Sequence, residues 1–156
     1  MNNRKTYTVN EALKKLEYYC AYQERCHKEV HLKLRSMNMI SQAIDHIITH
    51  LIQHNYLNEE RFSKSFARGK FRVKKWGKRR IVQELKIRNI SKYNITTALK
   101  EIDSEEYYTV FNELAEKRWE QLTNEKILTK KKKFVDYLLY RGWESNMIYE
   151  KINEFK

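Results

Sequence analysis

The sequence contains no proline and only three glycines, Gly69, Gly77 and Gly142. Collagen, mucin stalks and multi-turn β-sandwiches all need such breakers, so their scarcity argues against each of them. Cys20 and Cys26 are the only cysteines. Two are too few for a disulfide framework, and a reducing cytoplasm is the expected setting. No apolar run approaches the roughly 18–20 residues of a membrane span. The first residues, Met1 to Val9, are polar and lack the apolar core of a signal peptide. There is no Gly-rich phosphate loop, no G-x-S-x-G and no H-E-x-x-H, so neither an enzyme nor a cofactor is expected.

What is present is helix-forming and basic. The 41% of apolar residues can build a core, which the 33% of charged residues keeps thin, and 13% aromatics argues against disorder. Lys and Arg number 32 against 20 Asp and Glu, a net charge of +12 that predicts attraction to polyanions. The excess is local. Residues 1–63 hold 9 basic and 7 acidic side chains, residues 64–92 hold 12 basic and one acidic (Glu84), and residues 93–156 hold 11 basic and 12 acidic.

Apolar residues recur at spacings of three and four with no long alternation, which predicts an all-α chain. Helices are expected at 9–22, 26–37, 41–54, 58–75, 77–88, 91–101, 104–121, 125–141 and 144–155. Thr8 with Glu11 and Asp103 with Glu106 have capping-box spacing, and Ser41, Asn58 and Ser91 are N-cap candidates. Asn38, Asn89 and Gly142 stand where helices should end in a left-handed residue.

These three end signals reveal a repeat. Val30, Leu34, Asn38, Met39, Ile44 and Ile48 align with Ile81, Leu85, Asn89, Ile90, Ile95 and Leu99. They align again with Phe134, Leu138, Gly142, Trp143, Ile148 and Ile152. A period near 50 predicts a tandem array of three three-helix units, elongated and curved, divided as residues 1–55, 56–102 and 103–156. Such an array has no need to dimerise, so a monomer is expected.

Within this frame Tyr56 to Phe62, followed by Gly77, Arg80, Ile81, Glu84, Leu85 and Ile90, make the middle unit resemble the RecX family, bacterial regulators of the RecA recombinase. Tyr56-Leu57-Asn58-Glu59-Glu60-Arg61-Phe62 is similar to the family's G-[YF]-[LI]-[DN]-[DE]-x-R-F segment, with Asn55 in place of its glycine. Gly77, Arg80, Ile81, Glu84, Leu85 and Ile90 resemble G-x-x-R-I-x-x-E-L-x-x-x-G-I, with Asn89 at the second glycine. Arg25 through Leu34 resembles the start of the family's first repeat, again with Asn38 for glycine. Arg141-Gly142-Trp143 through Ile148 resembles R-G-F-x-x-x-x-I. Asn is the usual substitute at such turns. The resemblance implies an all-α, three-repeat modulator without chemistry of its own. It would bind the RecA–DNA filament along its helical groove and restrain ATPase, strand exchange and coprotease activities.

The residues themselves offer a contact surface. On the helix at 58–75, Phe62, Ser65, Phe66, Gly69 and Val73 share a stripe expected to face the core. Lys64, Arg68, Phe71 and Lys75 fall opposite, flanked by Lys70, Arg72 and Lys74. That face carries no acid and would form a cationic ridge about 16 Å long, matched to phosphates or to an acidic protein groove; a merely solvated face is the competing reading. On the next helix Arg80, Glu84 and Arg88 form an i, i+4, i+8 ladder read as mainly structural. Lys78, Arg79 and Lys86 have no acid at helical spacing and are contact candidates, with Gln83 beside them. Gly77 either lets the chain turn between two helices or permits close helix contact. The run Lys130 to Lys133 reads as a solvated helix side balanced by nearby acids.

Two function classes follow. One is the filament regulator, whose partners are the RecA filament and, more weakly, single- or double-stranded DNA. The other is a basic helical module that binds DNA without RecA. No metal site is expected. His46, His50 and His54 read as a solvated stripe, and Cys20, Cys26, His27 and His31 as free buried thiols with surface histidines. One or two of Tyr18, Tyr19 and Tyr22 must be core, and the remainder is free to stack on a base or fill a partner pocket.

Overall fold

The computed structural model describes residues 5–155 and holds nine helices and no strand among them. In chain order they are α1 (Val9–Tyr22), α2 (His27–Ser36), α3 (Ser41–Gln53), α4 (Glu59–Arg72), α5 (Lys78–Ile87), α6 (Lys92–Leu99), α7 (Ser104–Gln121), α8 (Ile127–Tyr140) and α9 (Ser145–Glu154). They pack in threes: α1 and α2 on α3, α5 and α6 on α4, and α7 and α9 on α8. The caps explain the starts. Thr8 and Glu11 form a reciprocal capping box, and Asn58, Ser91 and Asp103 accept from the amides of Arg61, Asn94 and Glu106. Ser41 makes no cap bond; α3 begins after Ile40, and Ser41 is its first residue.

The repeat is physical. Val30, Ile81 and Phe134 are fully buried, as are Leu34, Leu85 and Leu138. Each such side chain contributes about 1.5–3 kcal/mol by leaving water. One C-terminal hydrogen bond recurs three times: the amides of Met39, Ile90 and Trp143 donate to the carbonyls of Leu34, Leu85 and Leu138 at 3.2, 3.1 and 3.1 Å. That closure needs a left-handed residue between, and Asn38, Asn89 and Gly142 have φ of 60°, 58° and 91°. Asn55 is left-handed as well, at 62°.

The apolar core is in two bodies. The first is built on α1–α3, includes Leu16, Leu34, Ile47 and Leu51, and takes in Leu57 from the segment that follows α3. The second runs without a break from α4 to α9 and takes in Cys26 from the first unit. The second and third units are therefore joined by a common core. First and second are joined largely by polar contacts: the Arg61 guanidinium on Glu24 (2.7 Å), the His27 amide on Glu59 (3.2 Å) and the Lys28 ammonium on the Ile87 carbonyl (2.8 Å). The accessible surface, 10439 Å², exceeds the about 8400 Å² of a rounded fold of this mass, as expected of units that touch only their neighbours.

One face is phased differently from the sequence expectation. Phe62 is buried and Phe66 half-buried, but Gly69 is exposed and Val73 is 76% exposed. Ser63, Ala67 and Phe71 are buried in their place, Phe71 with its ring centroid 5.8 Å from that of Tyr107. Helix α4 packs on α6 and α5, and its buried stripe runs through the small residues Ser63 and Ala67 to Phe71. A hydrophobicity count undervalues small residues, so the sequence pattern points to a different face of α4 from the one that is buried.

Candidate binding surface

The basic residues of 64–92 divide into paired and unpaired sets. Lys64 pairs with Glu60 (3.2 Å), Arg68 with Glu101 (3.2 Å) and Arg72 with Glu106 (3.7 Å). The expectation of an acid-free ridge is thus corrected. Two of its three balancing carboxylates arrive from the end of α6 and the start of α7, far away in sequence. Asp103 caps α7 at the Glu106 amide, while the Glu106 carboxylate reaches Arg72.

The ridge is also shorter than expected. Helix α4 stops at Arg72 and Lys75 is left-handed, with φ 58°. The turn presents two carbonyls to the third unit: Lys74 accepts from the Arg141 guanidinium (2.7 Å) and Lys75 from the Trp143 indole (3.1 Å). Phe71 belongs to the core and leaves the list of contact residues. The Lys70 ammonium lies 5.5 and 5.1 Å from the Phe66 and Trp76 ring centres.

Helix α5 carries the clearest exposed positive surface. Lys78, Arg79, Val82, Gln83 and Lys86 line a shallow depression of about 520 Å³ with no acid in its wall. Lys78, Arg79 and Lys86 have no ion-pair partner among the described residues; Arg79 and Lys86 are exposed, while Lys78 is half-buried with its ammonium 4.6 Å from the Tyr107 ring centre. Arg79 and Gln83 also line the adjoining cleft of about 620 Å³, whose far wall is Tyr140, Gly142 and Trp143. Arg80 stands between them. Its guanidinium lies 4.2 Å from the Trp76 ring and 4.7 Å from the Tyr140 ring, and donates to the Tyr140 carbonyl (3.3 Å). Glu84 pairs with Arg88 (2.9 Å), so only half of the expected ladder forms within α5.

This surface is held rigidly from below. Gly77 has φ −77°, an ordinary value, so turning freedom does not explain it. Close approach does: a Cβ there would lie 2.4 Å from the Gly142 oxygen. The Gly77 and Arg79 amides donate to the Arg141 and Gly142 carbonyls (2.8 and 3.1 Å). The Lys78 amide donates to the Tyr107 hydroxyl (2.9 Å), which donates to Glu144 (2.6 Å). Burial and the Glu144 hydrogen bond push that phenol well above its ordinary value. The first turn of α5 is thus occupied by the third unit, and the exposed charge of α5 is side-chain charge.

Of the motif residues, Ile81, Leu85 and Phe62 are core. Arg61 is a clamp, donating to Glu24, to the Asn55 side chain and carbonyl (both 3.0 Å) and to the Tyr56 carbonyl (3.3 Å). Tyr140, 75% exposed on the cleft wall, was not anticipated; its place just before Arg141-Gly142 was the available signal. In the lysine run, Lys132 pairs with Asp136 (3.0 Å), Lys133 with Glu125, and Lys130 lies over the Trp119 ring. No helix among the described residues is long and apolar enough to cross a membrane.

These features define a class: an all-α protein of tandem three-helix repeats that exposes a basic surface at the junction of two repeats. The sequence models of the RecX second and third three-helix domains match residues 58–99 and 105–152. Proteins named regulatory protein RecX are similar over most of the chain. The one from Lactobacillus johnsonii is 32% identical over 67% of this chain and 38% of its own length. That from Yersinia enterocolitica is 30% identical over 73% of this chain and 66% of its own. That from Bacillus cytotoxicus is 26% identical over 88% and 51%. This chain thus spans about half or less of the length of the Lactobacillus johnsonii and Bacillus cytotoxicus relatives. The crystal structure of RecX from Lactobacillus salivarius superposes with a TM-score of 0.77 at 25% identity, covering 94% of this chain and 95% of that one. A second RecX structure shares the fold at a TM-score of 0.80. The chain belongs to the RecX family of regulatory proteins.

Proposed function

We propose that this chain binds the RecA–DNA filament in its helical groove and mainly restrains its ATPase, recombinase and coprotease activities. It would act in the cytoplasm as a monomeric regulator of DNA repair and recombination and of the SOS response, without catalysis of its own. The observation that carries the reading is the acid-free α5 face of Lys78, Arg79 and Lys86 on a chain whose relatives are regulatory proteins. Three modules, residues 1–55, 56–102 and 103–156, would form a curved body. Its middle module docks against filament protein or phosphate while the outer two bridge neighbouring subunits. Occupying the groove excludes a second duplex or a coprotease substrate and biases the filament toward disassembly.

The test is charge reversal on α5. Arg79→Glu with Lys86→Glu should abolish inhibition of the RecA ATPase with helicity unchanged. Unaltered inhibition would remove α5 as the contact surface. Reversal at Arg68 is a poorer probe, because it sets like charges against Glu101 inside the fold. Titrating labelled single-stranded DNA with and without RecA at two salt concentrations separates the alternative of a stand-alone DNA-binding module. That alternative requires binding that RecA does not strengthen, with a log–log salt slope of about −0.7 per neutralised phosphate on a single strand.

A further inference from the structure

A second basic surface lies in the first unit, on elements that contribute nothing to the α5 face. Tyr18 and Tyr22 are each 72% exposed and their rings stand side by side, with centroids 6.4 Å apart and planes 30° from parallel. With Lys14 they form a stripe at four-residue steps along α1, so the helix itself fixes their spacing. Lys15, and Lys33 from α2, complete the rim of a depression of about 410 Å³ that has no acidic residue in its wall. Lys14, Lys15 and Lys33 have no ion-pair partner among the described residues. The floor is rigid. Tyr19 is half-buried with the Arg25 guanidinium 3.7 Å from its ring centre, and Arg25 Nε donates to the Tyr19 carbonyl (3.1 Å). Arg25 is balanced by Glu29, which leaves the free charge to the lysines.

We propose that this face binds single-stranded nucleic acid, with unpaired bases stacking on Tyr18 and Tyr22 and with Lys14, Lys15 and Lys33 holding the phosphates. Each part has its reason. Two large exposed rings are not needed by the core, which is closed beneath them by Ala12, Leu16 and Cys20. A rim of one charge sign matches a polyanion. Aromatic faces beside a positive rim are the physical recipe for sequence-tolerant single-strand binding, because every base has a π-face. A duplex offers the same phosphates but keeps its base faces closed. An acidic peptide would answer the lysines and leave the stacking rings without a base.

The experiment uses the whole chain alone, so it stands apart from the filament reading and its failure would leave that reading intact. Fluorescence anisotropy is measured with a labelled twenty-nucleotide oligothymidylate and an abasic sugar-phosphate strand of equal length. The chain should bind the thymidylate tighter by about fivefold or more, the gain from stacking a single base. Tyr18→Ala with Tyr22→Ala should erase that preference without changing abasic binding or the thermal midpoint, and the double Phe variant should keep it. Lys14→Ala with Lys15→Ala and Lys33→Ala should weaken both probes and flatten the salt slope. Equal affinity of the unaltered chain for both strands, or a preference that survives the double Ala variant, would overturn the proposal.

Discussion

Gly77 and Gly142 lie so close that neither has room for a methyl group. A Cβ on Gly77 would meet the Gly142 oxygen at 2.4 Å, and one on Gly142 would meet the Arg80 Cβ at 2.2 Å. This contact joins the second and third units, and the atoms it would strike are backbone or fixed by backbone. Gly77→Ala should therefore destabilise the fold by about 1–3 kcal/mol through overpacking. Gly142→Ala adds strain at φ 91°. Because both act on one contact, the double variant should lose less than the sum of the two. Urea unfolding measures this, and an unchanged midpoint for Gly77→Ala would refute the contact.

Arg61 gathers Glu24, Asn55 and Tyr56 around one guanidinium between the first and second units. The pair with Glu24 is partly exposed, so its Coulomb share is discounted and the hydrogen bonds to fixed carbonyls carry most of the effect. Arg61→Ala should cost about 1–2 kcal/mol. Arg61→Lys should rescue little of it, since an ammonium cannot span those acceptors as a planar fork does. Full recovery with Lys, seen in a denaturant titration, would count against the clamp.

Lys75 adopts φ 58° so that its carbonyl can meet the Trp143 indole. A left-handed lysine costs about 1–2 kcal/mol that glycine avoids. Part of that gain is offset by the greater freedom of glycine in the unfolded chain. Lys75→Gly should raise the thermal midpoint by a few degrees, and Lys75→Val should lower it. A fall with Gly, read by calorimetry, would contradict the strain.

Burial pushes the Cys26 thiol up to about 12 and the Cys20 thiol up to about 11. In the unfolded chain a thiol ionises near pH 8.5, about its ordinary value. Above that pH the unfolded state sheds protons that the folded state keeps, so stability should fall as pH rises from about 8.5 toward the folded values. Replacing Cys26 with Ala should flatten this alkaline slope. At pH 8 both thiols should resist a disulfide reagent until urea is added; rapid labelling of the folded chain would deny their burial.

The sequence of each unit was enough to define the repeat. Its signals are local: a buried apolar pair four residues apart, then a left-handed Asn or Gly, then an apolar residue whose amide returns to the helix end. Val30 and Leu34, Ile81 and Leu85, and Phe134 and Leu138 all obey it because α-helical geometry puts i and i+4 on one face. The extent of α4 is legible in the sequence but its buried face is not, since Ser63 and Ala67 become core only when other helices pack on α4.

Charge was half legible for the same reason. The concentration of cations in residues 64–92 is a fact of the chain, and on α5 Arg79 and Lys86 are exposed. Which cations remain free was settled by Glu101 and Glu106, whose carboxylates reach Arg68 and Arg72 only once the units pack. Gly77 followed the same rule, its role set by the Gly142 backbone that folding brings against it. Local sequence therefore determined the helices, their caps and the repeat, because those rest on hydrogen bonds and contacts within a few residues. Tertiary packing decided the buried face of α4 and the unpaired basic surface, because those depend on atoms that meet only across units.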